Sequence, residues 1–184
     1  MLCGSITRRH TSVPTIARHD FTVKRIVVLG RGASGKSSFA HAVSQATGIP
    51  RVELDTVFWS SDLRPMAPDE WRVLQADLAA DDAWILDGDL GPYDAPETRL
   101  ERADAIVLFD VNLAVCAWRA FRRSRERFDF WQWVVTWRRH YRPEVMRAIV
   151  SSAPNAQLLI IRNTRDRDRA FDRIVTEVRR GSSR

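Results

Sequence analysis

The chain has 184 residues, 45% of them hydrophobic and 28% charged, and this composition predicts one compact domain of mixed helices and strands. Its two cysteines, Cys3 and Cys116, are too few for a disulfide framework, and no stretch approaches the roughly 20 apolar residues of a membrane span. The basic N-terminal segment has no apolar core, which excludes a secretory signal peptide, so we expect a cytoplasmic monomer or homodimer.

The first segment, Met1 to about Asp20, is basic, rich in Ser and Thr, and contains Pro14. We expect residues 1–20 to form a disordered arm. A start codon assigned too early would explain the segment equally well. The remaining residues, 21–184, are predicted to form a single domain.

Strand and helix patterns alternate through this domain. The β-branched run Val23–Leu29 predicts a buried strand, and the spacing after it predicts a helix over Ser37–Thr47. Arg51–Leu54 is a short second strand, and Asp69 is a suitable N-cap for the next helix. Further strands are predicted at 84–86, 105–109 and 157–161, and further helices at 112–124, 130–141, 143–150 and 166–180. This alternation favours an α/β fold with a five-stranded parallel sheet and helices on both faces.

Polar residues follow the predicted strand ends, where ligands bind in sheets of this class. The first of these segments, Gly30 to Ser37, fits G-x-x-x-x-G-K-[ST] at every fixed position, between a strand and a helix. Glycines let successive backbone N–H groups approach phosphate oxygens, and the helix N-terminus adds a positive dipole. Lys36 is predicted to bridge the β- and γ-phosphates of ATP, and the Ser37 hydroxyl to ligate Mg²⁺. The residues predicted to bind nucleotide here are Gly30, Gly32, Ala33, Ser34, Gly35, Lys36, Ser37 and Ser38.

A carboxylate, Asp87, ends the third strand beside the strand that carries this phosphate loop. We expect Asp87 to hold Mg²⁺ directly or through water, as strand-end carboxylates of P-loop enzymes do. Because Asp-Gly is also a common turn pair, capping of a turn is the alternative.

The order of these motifs resembles that of small P-loop kinases related to adenylate kinase and shikimate kinase. The matching pieces are the loop, Leu-Asp-x-x-Phe-Trp at 54–59, Asp-Glu-Trp at 69–71 and Trp-Ile-x-Asp-Gly at 84–88. They are most similar to the topology modulation proteins, over about Lys24 to Asn163. The resemblance implies a three-layer P-loop NTPase fold with strand order 2-3-1-4-5. The chain departs from this group after Asp-Gly, where Asp89-Leu90 replace Asn-Tyr.

The resemblance places the phosphate acceptor near Asp55, after the second strand. A carboxylate there can orient an acceptor hydroxyl or accept its proton, with Trp59 as a pocket wall. As an ordinary helix N-cap, Asp55 would look the same in sequence.

An excess of arginine marks the segment Arg119–Arg147, which has nine arginines and three acids. The net charge of this segment, +6, equals that of the whole chain. We call it the basic segment. The resemblance implies that Arg119 and Arg123, one helical turn apart, contact the donor base and phosphate. It also implies a short lid over 124–142, and we expect one of the arginines there to reach the transferred phosphate; the candidates are Arg138, Arg139 and Arg142. Asn163, after the last strand, is a candidate contact for the donor base, or part of a plain turn.

Two functions follow from these features. The favoured one is a kinase that transfers the γ-phosphoryl group of Mg·ATP to a small-molecule or nucleotide acceptor. The alternative is a nucleic-acid-associated or regulatory P-loop NTPase, in which arginines of the basic segment stack on bases together with the tryptophans beside and within it, Trp118, Trp131, Trp133 and Trp137. The sequence does not identify the acceptor.

Overall fold

Five parallel strands form one sheet in the computed structural model, which describes residues 23–62, 64–123 and 128–182. The strands are β1 (Arg25–Gly30), β2 (Arg51–Glu53), β3 (Trp84–Asp87), β4 (Ala105–Phe109) and β5 (Gln157–Ile161). Their order is β2-β3-β1-β4-β5, and every neighbouring pair is parallel. The predicted fold class and strand order are confirmed. The predicted arm at 1–20 lies outside the described residues.

Helices connect the strands and cover both faces of the sheet. They are α1 (Lys36–Thr47), α2 (Leu54–Phe58), α3 (Pro68–Leu78), α4 (Glu97–Leu100), α5 (Leu113–Arg123), α6 (Phe128–Thr136), α7 (Tyr141–Ser152) and α8 (Thr164–Ser182). A turn of 3₁₀ helix spans Gly91–Tyr93. No helix within the described ranges is long and apolar enough to cross a membrane.

The alternation of side chains along the strands divides the core into two layers. On β1, Ile26 and Val28 pack with α1 and α8, whereas Val27 and Leu29 pack with α2, α3 and α7. All four side chains are fully buried. Burial on both faces explains why β1 reads as a continuous apolar run rather than an alternating one.

Two predicted boundaries are wrong. Helix α3 begins at Pro68, with Ala67 as its N-cap, so Asp69 lies in the first turn and not at the cap. Proline suits the first helical position because the N–H it lacks has no partner there. The second strand ends at Glu53, since Leu54 turns into the core and begins α2.

The helix predicted over 130–141 is also interrupted. Helix α6 ends at Thr136, and residues 137–140 form a turn that leads into α7. Pro143, in the first turn of α7, explains why one helix does not continue from α6 into α7. It has no N–H to donate to the carbonyl oxygen of residue 139, and its ring would clash with that carbonyl in a continuous helix. Arg138 and Arg139 therefore lie on the turn, and Arg142 in the first turn of α7.

Candidate active site

The phosphate loop connects β1 to α1 at the carboxyl edge of the sheet. Gly30 and Gly35 have φ angles of +129° and +100°, and Ala33 has a φ of +56°. A Cβ on Gly30 would lie 2.4 Å from the carbonyl oxygen of Phe109, so only glycine fits beside β4. Helix α1 begins at Lys36 without a side-chain capping hydrogen bond, so its first backbone N–H groups are directed at the loop.

The loop lysine is held inside this turn. Lys36 is 9% exposed, and its ammonium group donates a hydrogen bond of 3.1 Å to the carbonyl oxygen of Arg31. The ring of Trp133 lies over the same ammonium, with its centroid 5.9 Å from Nζ. Lys36 is thus a largely desolvated cation at the start of α1.

A cavity of about 960 Å³ opens beside the loop, within the upper range of small-molecule sites. Its walls come from the loop, from α5 and from the connection between β5 and α8. Of the residues predicted to bind nucleotide, six line it: Ala33, Ser34, Gly35, Ser38, Arg119 and Asn163. The structure therefore brings the loop, Arg119 of α5 and the candidate donor-base residue Asn163 together around one space.

Arg119 joins the cavity wall to the loop. Its Nη1 donates a hydrogen bond of 2.8 Å to the carbonyl oxygen of Ser34. Arg122 also lines the cavity, with its guanidinium 6.0 Å from the ring centroid of the exposed Trp118. The side chain of Arg123, predicted as the partner of Arg119, lies outside the described residues.

Asn163 lines the cavity but is also engaged in its own turn. Its Oδ1 accepts a hydrogen bond of 3.0 Å from the backbone N–H of Asp166, and its Nδ2 donates one of 3.0 Å to the Asp166 carboxylate. Asn163 thus forms part of the turn into α8, and its contact with the donor base stays a prediction.

Asp87 lies at the end of β3 and is paired with an arginine of the neighbouring strand. Its Oδ2 accepts hydrogen bonds from Nη2 and Nε of Arg51, at 2.7 and 3.3 Å. Burial lowers the pKa of Arg51, but the hydrogen bonds and charges of Asp87 and Glu53 together outweigh it and leave that pKa raised. The other oxygen of Asp87 is buried and has no hydrogen-bond partner among the described residues. Asp87 thus keeps one carboxylate oxygen without a described hydrogen bond, and its role in holding Mg²⁺ stays a prediction.

The described residues contain no group of three or more His, Cys, Asp or Glu side chains arranged to hold a metal ion. A protein cage for Mg²⁺ is not what the sequence predicts, because Mg²⁺ is commonly held by one or two side chains together with substrate phosphates and water.

Asp55 lies in the first turn of α2 and is exposed to solvent along one side. Partial burial raises the pKa of Asp55, and so do the negative charges of Asp87, Glu53 and Asp89, whereas the charge of Lys36 lowers it. The predicted acceptor carboxylate and the loop lysine therefore lie within electrostatic reach of each other.

Aromatic rings line the side of α2 that follows Asp55. Trp59 is half-buried and stacks edge-on against Phe58 and Tyr93, at centroid distances of 4.8 and 5.5 Å. The predicted acceptor-pocket wall is thus part of an aromatic cluster that reaches from α2 to the turn after β3.

Solved structures match this chain in shape, while no protein-family model and no curated protein matches its sequence. Shikimate kinase from Acinetobacter baumannii in complex with shikimate superposes with a TM-score of 0.59 at 15% identity, over 85% of this chain and 93% of that one. Shikimate kinase from Bacteroides thetaiotaomicron gives 0.54 at 14% identity, over 85% and 99%. A gluconokinase from Sinorhizobium meliloti gives 0.52 at 17% identity, over 86% and 97%. The chain has their P-loop fold. At these identities the likeness concerns the fold alone, and the likeness to topology modulation proteins stays a prediction.

Within this P-loop fold, the corner between α6 and α7 packs onto the phosphate loop. Trp137 is fully buried, and its ring lies 5.5 Å from the guanidinium of the equally buried Arg31. Arg138 and Arg142 pair with the buried Asp110 at the end of β4, at 3.2 and 3.0 Å. Two of the three candidate arginines are therefore held at the carboxyl edge of the sheet by Asp110, and the third, Arg139, is exposed. Residues 124–127 of the predicted lid lie outside the described part.

Two polar residues of this edge, Arg99 and Asp89, were given no role from the sequence. Arg99 is fully buried and donates hydrogen bonds to Asp94, Gln75 and the carbonyl oxygen of Gly88, which fixes the turn after β3. Asp89 is 5% exposed and accepts three N–H donors. Its position directly after Asp87-Gly88 was the available signal for Asp89, but no such signal marked Arg99 in the sequence.

Proposed function

We propose that this chain is an ATP-dependent phosphotransferase whose donor site is the phosphate loop with the adjoining cavity. One observation carries the proposal: the loop that lines this cavity also holds Lys36, and the positive charge of Lys36 acts on the carboxylate of Asp55 on the proposed acceptor side. A kinase needs its donor and acceptor groups close to one positive charge, because the transferred group must pass from the nucleotide to the acceptor.

The loop fits a nucleoside triphosphate on its own geometry. Gly30 and Gly35 leave the backbone free of Cβ atoms, and the hydroxyl of Ser34 is buried without a hydrogen-bond partner among the described residues. The start of α1 and Lys36 supply positive charge for the phosphates. The hydroxyl of Ser37 and the free oxygen of Asp87 would hold Mg²⁺. When bound, Mg·ATP supplies the phosphoryl group and the charge compensation that the metal gives it.

The acceptor side depends on Asp55. We propose that its carboxylate orients an acceptor hydroxyl and takes its proton, with Trp59 as the wall of the pocket. The raised pKa of Asp55 makes it a better base than an ordinary aspartate, and the nearby charge of Lys36 opposes that rise.

Arginines supply the remaining charge compensation. Arg119 holds the loop at Ser34, and we propose that it and Arg123 contact the donor base and phosphate. Arg138, which is 57% exposed beside Asp110, has the freedom to leave that carboxylate and reach the transferred phosphate. We assign it this role ahead of Arg142, whose side chain is 29% exposed.

A phosphotransfer screen tests the proposal. The full chain is incubated with Mg·ATP and pools of sugars, hydroxy acids and nucleoside monophosphates, and products are detected by mass spectrometry, with Lys36→Ala as the blank. We expect one acceptor class to gain a phosphate only with the unaltered protein. Equal products with both proteins, or ATP consumption that is independent of Lys36, would contradict the proposal.

The nucleic-acid alternative receives less support from the structure. Stacking requires exposed rings beside free arginines, but Trp137 is buried and Arg138 and Arg142 face a carboxylate. Of the tryptophans predicted to stack, Trp118 alone is exposed, at 61%, in the part of the chain that the structure describes. Titration with single-stranded DNA and RNA at two salt concentrations distinguishes the two functions, because binding through phosphate contacts falls steeply with salt.

A further inference from the structure

The carboxylate of Asp89 joins three elements that are far apart in the sequence. Its Oδ2 accepts the backbone N–H of Gly30 at 3.2 Å and the indole N–H of Trp137 at 3.1 Å. Its Oδ1 accepts the backbone N–H of Gly91 at 3.2 Å. The phosphate loop, the turn after β3 and the corner after α6 therefore meet on one buried side chain.

The donors around Asp89 are all uncharged N–H groups, although arginine partners are common elsewhere at this edge. Burial raises the pKa of Asp89, while the charge of Lys36 and the hydrogen bonds from Trp137 and Gly91 lower it. A buried carboxylate that depends on N–H donors becomes costly when one of them is removed. Detachment of Trp137 would remove one of these donors and leave the buried carboxylate of Asp89 with an unsatisfied oxygen position.

The α6–α7 corner also contacts the loop through two tryptophans: Trp133 lies in α6, and Trp137 follows its end and donates its backbone N–H to the carbonyl oxygen of Trp133 at 2.8 Å. The ring of Trp137 lies against Arg31, and that of Trp133 over Lys36. Gly91, which Asp89 holds by its N–H, makes room for Trp133: a Cβ there would lie 2.6 Å from the indole Nε1. Asp89 therefore supports both tryptophans, one directly and one through Gly91.

We propose that Asp89 is a positioning residue that seats the α6–α7 corner on the phosphate loop through Trp137. In this seated position Arg138 and Arg142 stand at the edge where the proposed transfer takes place. Asp89 does not touch the reacting atoms; it acts through Trp137, Gly91 and Gly30. The consequence for transfer rests on the proposed kinase function, but the seating itself does not.

Hydrogen exchange of the nucleotide-free full chain tests the seating. In Trp137→Phe the ring stays but the N–H to Asp89 is lost, and we expect exchange in the peptides over α6 and the phosphate loop to accelerate about tenfold. Trp84→Phe is the matched control, because Trp84 is equally buried and donates its indole N–H to the carbonyl oxygen of Ala79, away from the corner. Its effect should fall on the peptides around β3. Equal acceleration in both variants, or no change over α6, would overturn the proposal.

A second variant guards against loss of the fold. Gly91→Ala leaves Trp137 and Asp89 intact but places a methyl group against Trp133, at a φ of +59°. We expect the same local acceleration over α6, and unchanged exchange there would count against the seating.

Kinetics then test the consequence. With Mg·ATP and an acceptor, Trp137→Phe should lower kcat about tenfold and change KM for ATP by less than about twofold, because the corner arginines act on the transferred group. A normal kcat in Trp137→Phe would refute the consequence. Failure of ATP to bind to any form would refute the proposed function, whereas the exchange result would still decide the seating.

Discussion

Arg119 provides a test of how α5 contributes to the proposed donor site, because one hydrogen bond connects it to the phosphate loop. Its guanidinium donates to the carbonyl oxygen of Ser34 at 2.8 Å. In the bound state, the proposed contact of this guanidinium with the nucleotide phosphate is a hydrogen bond from a charged group, which contributes roughly 1.5–3 kcal/mol, and the exposure of Arg119 places it at the lower end of that range. Loss of about 1.5 kcal/mol corresponds to about a tenfold weaker affinity for nucleotide. We therefore expect Arg119→Ala to raise the Kd for Mg·ATP at least about tenfold.

Isothermal titration with Mg·ATP measures this effect, and Arg122→Ala is the matched control. Arg122 lies on the same helix and lines the same cavity, but its described interaction is with the exposed ring of Trp118. A cation–π contact at an exposed site contributes about 0.5–1 kcal/mol, so Arg122→Ala should weaken binding about two- to fivefold. Equal effects of the two substitutions, or unchanged binding in Arg119→Ala, would refute the role of Arg119 as the link between α5 and the loop.

Three further substitutions test the geometry of the site. Gly30→Ala should destabilise the fold by about 3 kcal/mol or more, because its Cβ would lie 2.4 Å from a backbone oxygen. Urea titration of both variants measures this cost. Gly48→Ala is the control: Gly48 has a φ of +75° and nothing within 4 Å, so its substitution should cost only about 1 kcal/mol of unfolding free energy. Similar costs for the two variants would contradict the clash at Gly30. Arg51→Ala leaves the buried carboxylate of Asp87 without its cation and should lower the free energy of unfolding by about 3 kcal/mol. Arg72→Ala, which breaks the exposed pair with Asp69, should lower it by less than about 0.5 kcal/mol, and equal losses would refute the importance of burial. Asp55→Asn should abolish transfer but retain ATP binding. Because the folded state raises the pKa of Asp55, its ionised form lowers the stability of the fold. Asp55→Asn should therefore be slightly more stable than the unaltered protein near neutral pH, and this difference should vanish in acid. A difference that grows in acid would contradict a raised pKa.

The sequence allowed the fold to be predicted because its signals are local. The apolar runs of β1 and β4 and the glycine spacing of the loop are each contained in a few consecutive residues. Boundaries were less accurate where two local signals compete, as at Pro68 and Asp69, or where a proline breaks a pattern that otherwise continues, as at Pro143.

The candidate site was predictable only in part, for a different reason. Lys36 and Asp87 are identified by their own neighbours in the chain. The contacts between distant parts of the chain are not identified in this way. Arg51 reaches Asp87 because β2 pairs with β3, and Trp137 reaches Asp89 because the chain returns over the loop after α6. Contacts of this kind depend on strand pairing and helix packing, which periodicity does not specify.

Calorimetric titration of the full chain with Mg·ATP, beside Lys36→Ala, tests the central claim most directly. The ammonium of Lys36 is largely desolvated at the start of α1 and has one described hydrogen bond, to the carbonyl oxygen of Arg31. Its removal takes a buried positive charge away from the proposed phosphate site. The account predicts saturable one-site binding to the unaltered protein and loss of about 2 kcal/mol or more in the variant. No binding to the unaltered protein, or equal binding to both, would contradict the assignment of the loop as a nucleotide donor site.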